Sequence, residues 1–245
     1  MLSLKNHPFA VEAFFKSSLV LTYAVPKDEI KNLIPECLEL DTFNERWAFI
    51  AVALVQTKKL RPKSFPEFMG NDFILAGYRI FVRYSNTKGK RLRGLYILKS
   101  ETDKKNMSLF GNIFTHYNYT ATDINFHTEK EKITVTSAKS GLDIDIDFNK
   151  TDIKLPRDSP FSTWKEARRY AGPLPFTFTY NGKTKKVLII EGVRKDWDPK
   201  PVEVLKSNVK FIKEMNLKGI VLANAFIIEN VPYYWKKGKV EKWEG

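Results

Sequence analysis

"RWAFIAVALVQTK", residues 46–58, decides the fold. Its middle, from Phe49 to Val55, has no alternation of polar and apolar positions. A strand of that kind is covered on both faces. Strand signals continue outward from it. "FFKSSLVLTYAV" (14–25) reads as a first strand. Pro26 then stands where a helix can begin, and "KDEIKNLIPE" places Ile30, Leu33 and Ile34 on one face. "DFILAGYRIFVRY" (72–84) and "RGLYILKSETD" (93–103) flank "SNTKGKRL", whose glycine and charges suit a hairpin loop. Residues 104–114 read as a short helix carrying Met107, Phe110 and Phe114 inward, weakened by Gly111.

Beyond it, "HYNYTATDINFHT", "ITVTSA" and "GLDIDIDF" form a meander of alternating strands. "TWKEARRYAG" (163–172) predicts a helix, with Thr163 and Glu166 at capping-box spacing and Gly172 as its stop. Asn181-Gly182 predicts a hairpin turn. "KGIVLANAFIIENVPYYW" and "GKVEKW" add two strands, and 200–215 fits helix and strand equally. Residues 58–71 read as a long loop, of the kind that serves as a lid or simply as surface. About ten strands, three short helices and no composition break predict one domain over 1–245. The expected class is mainly β, with a large antiparallel sheet closed into a barrel or cone, because closure removes exposed edges.

At 245 residues, 43% hydrophobic and 28% charged, the chain is globular rather than disordered. It has no apolar run long enough to span a bilayer and no signal-peptide pattern. The lone Cys37, beside Pro35 and Leu38, reads as a buried thiol, and the cytoplasm is the expected compartment. The formal net charge of +13 raises nucleic acid or anionic lipid as partners. Lysine, however, outnumbers arginine about three to one and is spread along the chain, so no specific nucleic-acid partner is expected.

Familiar catalytic and cofactor signatures are absent, and the histidines His7, His116 and His127 lack metal-ligand spacing, so neither metal nor cofactor is expected. Asp143, Asp145 and Asp147 alternate with Leu142, Ile144, Ile146 and Phe148. Carboxylates roughly 6.6 Å apart on one strand face read as a solvated edge rather than an ion cage. Arg79 differs. It shares a strand face with Phe73, Leu75, Gly77 and Phe81. A guanidinium there either lines a wet cavity or is paired with a buried carboxylate. Lys99 and Glu101 extend the face of Leu95 and Ile97. Lys99 is therefore a candidate Schiff-base amine, with a rim salt bridge as the plainer reading. "FTHYNYTAT" (114–122) sets His116, Tyr117 and Tyr119 close together, either around a ligand or as satisfied residues at a junction.

Several segments together resemble an uncharacterised bacterial family distantly related to acetoacetate decarboxylase: "LIPECLELDTFNERWAFIAVALVQ", "YRIFVRY", "RGLYILKSETD", "LFGNIFTHYNY" and "YAGPLPFTFTY". The resemblance implies a closed, cone-like β-barrel with outer helices and an internal ligand cavity. In the decarboxylase one lysine of an adjacent pair forms the Schiff base and its neighbour lowers its pKa. The corresponding region here has no lysine between Lys105 and Lys130, so no catalytic lysine carries over. The expected function is binding of a small carbonyl or carboxylate compound, with its turnover left open and Arg79 as anion clamp. Lys99, Glu101, His116, Tyr117 and Tyr119 are the further ligand-site candidates. A non-catalytic sensor with the same pocket and a basic surface protein are the alternatives, and a homo-oligomer is compatible with each.

Overall fold

The structure is a computed structural model and describes residues 4–172, 174–195 and 197–245. Strand β1 (Val11–Pro26) leads through α1 (Lys27–Ile30) to the short β2 (Glu39–Leu40). The long strands β3 (Trp47–Pro62), β4 (Asn71–Ser85) and β5 (Arg91–Thr102) follow, then helix α2 (Lys105–Phe114). Next come β6 (Tyr119–Ala121), β7 (Asn125–Glu129), β8 (Lys132–Ser137), β9 (Leu142–Asp147) and α3 (Trp164–Ala167). The last third contains β10 (Phe176–Asn181), β11 (Lys186–Arg194), β12 (Lys200–Pro201), β13 (Glu203–Val209), α4 (Lys210–Glu214), β14 (Val221–Trp235) and β15 (Lys239–Lys242).

Hydrogen bonding runs around seven strands in the order β14, β1, β3, β4, β5, β10, β11, and β11 pairs again with β14. The ring is uneven. From β14 to β5 the ladders are long and antiparallel. The parallel β5–β10 and antiparallel β11–β14 contacts have only three residue pairs each. Gly94 makes the parallel contact possible, since a side chain there would overlap the Phe176 carbonyl. The expected single sheet is in fact two. Strands β13, β9, β8 and β7 form a separate four-stranded sheet, because their alternating residues pack against the outer wall of the ring.

The opening stretch shows why both faces of β3 are apolar. Ala48, Ile50, Val52 and Leu54 pack outward into the core shared with the second sheet, beside Ile133, Val135 and Ile144. Phe49, Ala51, Ala53 and Val55 point into the lumen of the ring. One end of that lumen is filled by Phe43, Phe49, Phe81, Phe161 and Tyr170, whose ring centroids lie 4.1–6.3 Å apart. The segment after α3 holds this plug in place, with Thr22 Oγ1 donating to the Tyr170 carbonyl at 2.9 Å.

Several local expectations change in the fold. β3 continues through a bulge between Thr57 and Leu60, so the expected 58–71 loop shrinks to 63–70. Helix 163–172 is one α-turn with a 3-10 extension, and its capping box forms. The hairpin after Asn181 turns over 182–185, with the positive φ at Lys185 rather than at Gly182. Residues 200–215 contain the short β12, then β13 and the helix α4. Leu33 is exposed, unlike buried Ile30. In α2, Phe110 is 49% exposed rather than inward.

Candidate functional site

The unfilled end of the lumen is a cavity of about 440 Å³. Its wall is largely apolar, with Phe15, Phe73, Leu75, Leu95, Ile97 and Phe114 among its residues. Arg79 lines it. The β4 alternation puts Phe73, Leu75, Gly77 and Arg79 on the lumen side and Ala76, Tyr78 and Ile80 on the outer side. The guanidinium folds back over Gly77, where a Cβ would stand 2.8 Å from Nη2. A side chain there would displace the guanidinium from this position.

Among the described residues the Arg79 guanidinium makes no hydrogen bond and no ion pair, and its buried Nε has no acceptor. Burial lowers its pKa, opposed by the hydroxyls of Tyr119, Tyr233 and Tyr117 around it. Burial in turn raises the tyrosine pKa values, that of Tyr119 to about 12, against the pull of Arg79. These phenols therefore stay protonated and can donate. The Tyr117 hydroxyl lies beside Thr177, close enough to oppose the shift, yet makes no hydrogen bond of normal geometry. The hydroxyl is therefore open to a ligand.

The six sequence-predicted residues divide. Arg79, Tyr117 and Tyr119 line the cavity. His116 does not: in the bend between α2 and β6 it turns to Asn6 Oδ1 at 3.4 Å and toward Lys5. Lys99 and Glu101 do not follow the face of Leu95 and Ile97 either. A β-bulge at Leu98 inserts one residue opposite the Tyr78–Arg79 step, so Leu98 and Lys99 both face the outer core. There Lys99 Nζ pairs with Glu101 Oε1 at 2.6 Å, and the Tyr78 hydroxyl donates to Glu101 Oε2 at 2.9 Å. No lysine, aspartate or glutamate lines the cavity among the described residues.

Sequence reasoning missed His7 and Tyr233. His7 is buried, has a positive φ and lines the cavity, and burial lowers its pKa. Nothing in its sequence neighbourhood signals this. Tyr233 lies in the aromatic run "VPYYW", which was read only as a strand. Arg61 also reaches the cavity, but it is paired with Glu12 at 2.7 Å. A larger open groove of about 720 Å³ lies outside the ring, and there Lys58, Lys59 and Arg61 are matched by Asp72, Glu67 and Glu12. The Asp143–Asp147 row is a polar face of the second sheet, with Asp143 paired to Lys206 at 2.5 Å and Asp145 accepting from Thr134 at 2.8 Å. Among the described residues no cluster of three or more metal-ligating side chains occurs, and no helix is long and apolar enough to cross a membrane.

A family model described as DUF2071, uncharacterized conserved protein, matches residues 13–225. No curated protein matches the chain. Solved structures do. Acetoacetate decarboxylase from Legionella pneumophila is 13% identical with a TM-score of 0.60, over 96% of this chain and 88% of that one. An acetoacetate decarboxylase-like enzyme from Sphingomonas wittichii RW1 is 11% identical with a TM-score of 0.60, over 98% and 94%. The enduracididine biosynthesis enzyme MppR, complexed with pyruvate, is 9% identical with a TM-score of 0.55, over 95% and 90%. At these identities the likeness is one of fold.

Proposed function

The chain belongs to the DUF2071 family, and from that premise we propose that its lumen binds a small organic acid whose carboxylate is held by Arg79. One observation carries this reading: a guanidinium that has no carboxylate partner among the described residues, in a largely apolar cavity. An unpaired buried charge is costly, and an anionic ligand removes that cost through a charge-assisted, bidentate contact. Tyr117, Tyr119 and Tyr233 supply neutral donors for a second carboxylate oxygen or an adjacent carbonyl. The cavity volume suits a compact ligand, with its apolar part against Leu95, Ile97 and Phe73.

The decarboxylase fold does not bring the decarboxylase chemistry with it. A Schiff base needs an amine at the substrate carbonyl, and no lysine lines the cavity among the described residues. That composition favours binding, or proton transfer by tyrosine, over covalent catalysis. Calorimetric titration with pyruvate, acetoacetate and hexanoate, each against its neutral amide, tests the reading. At least one acid should bind and its amide should not, and Arg79→Met should abolish the difference. Equal affinity for acid and amide refutes it. Mass analysis of the recovered ligand separates sensor from enzyme.

A further inference from the structure

The rim of the cavity is as unusual as its floor. The connection from β3 to β4 and helix α2 face each other across the mouth, with Phe65, Met69 and Phe110 all lining it. Asn106 Nδ2 bridges the two elements at Asn71 Oδ1, 3.3 Å away. Both present large apolar side chains to solvent. Phe68 is 87% exposed and Leu109 61%, and Phe65, Met69, Phe110 and Ile113 complete the collar. Exposed apolar groups gathered on one rim mark an interaction surface.

The charges beside the collar select its partner. Lys5, Lys63 and Lys105 are exposed and form no ion pair among the described residues, and the Lys63 ammonium lies over the Tyr234 ring. The acid inside the collar, Glu67, is already engaged by Lys59 and lies 3.9 Å from Arg61. We propose that this collar docks on an anionic lipid bilayer, with Phe68 and Leu109 entering the interface and the lysines meeting the headgroups, so that the cavity opens onto the membrane surface. Apolar side chains next to uncompensated cations are the pattern that binds such surfaces without spanning them. A second copy of the chain is the weaker occupant, because two such collars would bring like charges together.

The inference goes beyond the ligand assigned above and stands whatever the cavity holds. The test is flotation of the full chain with phosphatidylcholine vesicles, with or without about one third phosphatidylglycerol. The wild type should float only with the anionic vesicles. Phe68→Asp and Leu109→Asp, at positions too exposed to affect folding, should each lower the bound fraction about tenfold, and Lys63→Glu with Lys105→Glu should do the same. Arg79→Met should float as the wild type does, so this reading and the carboxylate reading fail separately. Three results overturn the proposal: no flotation of the wild type, flotation unchanged in the collar variants, or a solution dimer that Phe68→Asp dissolves.

Discussion

Arg79 and Lys99 are two cations on opposite faces of the β4–β5 pair. Lys99 faces the packed core between the sheets and has its carboxylate, Glu101, at 2.6 Å. Arg79 faces the cavity and has no carboxylate partner among the described residues. Where protein atoms fill the space, a charge is paired from within the chain. Where the space is left open, the counter-charge is left for a ligand. The same contrast holds along the lumen, whose far end is closed by five aromatic rings and whose near end is empty.

The largest expected effect is on the packed face. Lys99→Met strands the Glu101 carboxylate, which is only 4% exposed and keeps just the Tyr78 hydroxyl. The loss should be about 3 kcal/mol, the low end for breaking a buried pair because Lys99 is itself one-third exposed. Urea unfolding measures it, and an unchanged midpoint would break the comparison. Arg79→Met should behave oppositely. Stability should shift by no more than about 1 kcal/mol, since no partner is orphaned. Affinity for the bound acid should fall roughly 10- to 100-fold, as expected for a lost charge-assisted contact. A collapse of the melting temperature would place Arg79 in the scaffold.

The tyrosines sharpen the contrast. Burial raises both Tyr78 and Tyr119, but Glu101 pushes Tyr78 further up whereas Arg79 pulls Tyr119 down, to about 12. Tyr119 should therefore titrate first in an ultraviolet difference spectrum, and Arg79→Met should move its transition upward. Both folded-state values lie above the ordinary tyrosine value of about 10. Their contribution to stability is therefore complete below about pH 10 and is lost as pH rises toward the folded values. The smallest expected effect is none at all. Acetoacetate followed by borohydride should leave the protein mass unchanged, because Lys99 lies on the face away from the cavity. An adduct on Lys99 would contradict the register of β5.

What could be read in advance followed strict alternation. Arg79 among Phe73, Leu75 and Phe81 already limited it to a cavity or a buried pair, and the unbroken apolar run of β3 required cover on both sides. Tyr117 and Tyr119 both line the lumen, but the chain at His116 and Tyr117 is a bend and not a strand, so alternation does not place His116. The errors arose where alternation breaks. The bulge at Leu98 reverses Lys99 and Glu101 relative to Leu95 and Ile97, and a bulge is a property of two paired strands, invisible in either one alone. His7 reaches the cavity only because the chain before β1 packs against the end of α2, where His7 N bonds the Phe114 carbonyl at 3.2 Å.

The sequence by itself determined a β-rich chain with a doubly covered central strand, a cation on an apolar strand face and no lysine in the "FTHYNYTAT" region, because apolar periodicity and residue identity are local properties. The tertiary structure alone decided that the strands divide into a ring and a second sheet, that one end of the lumen stays open, and which polar groups face it. Those outcomes depend on which distant segments fill the same volume. Phe161 and Tyr170 close one end of the lumen, and among the described residues no segment of comparable bulk fills the other.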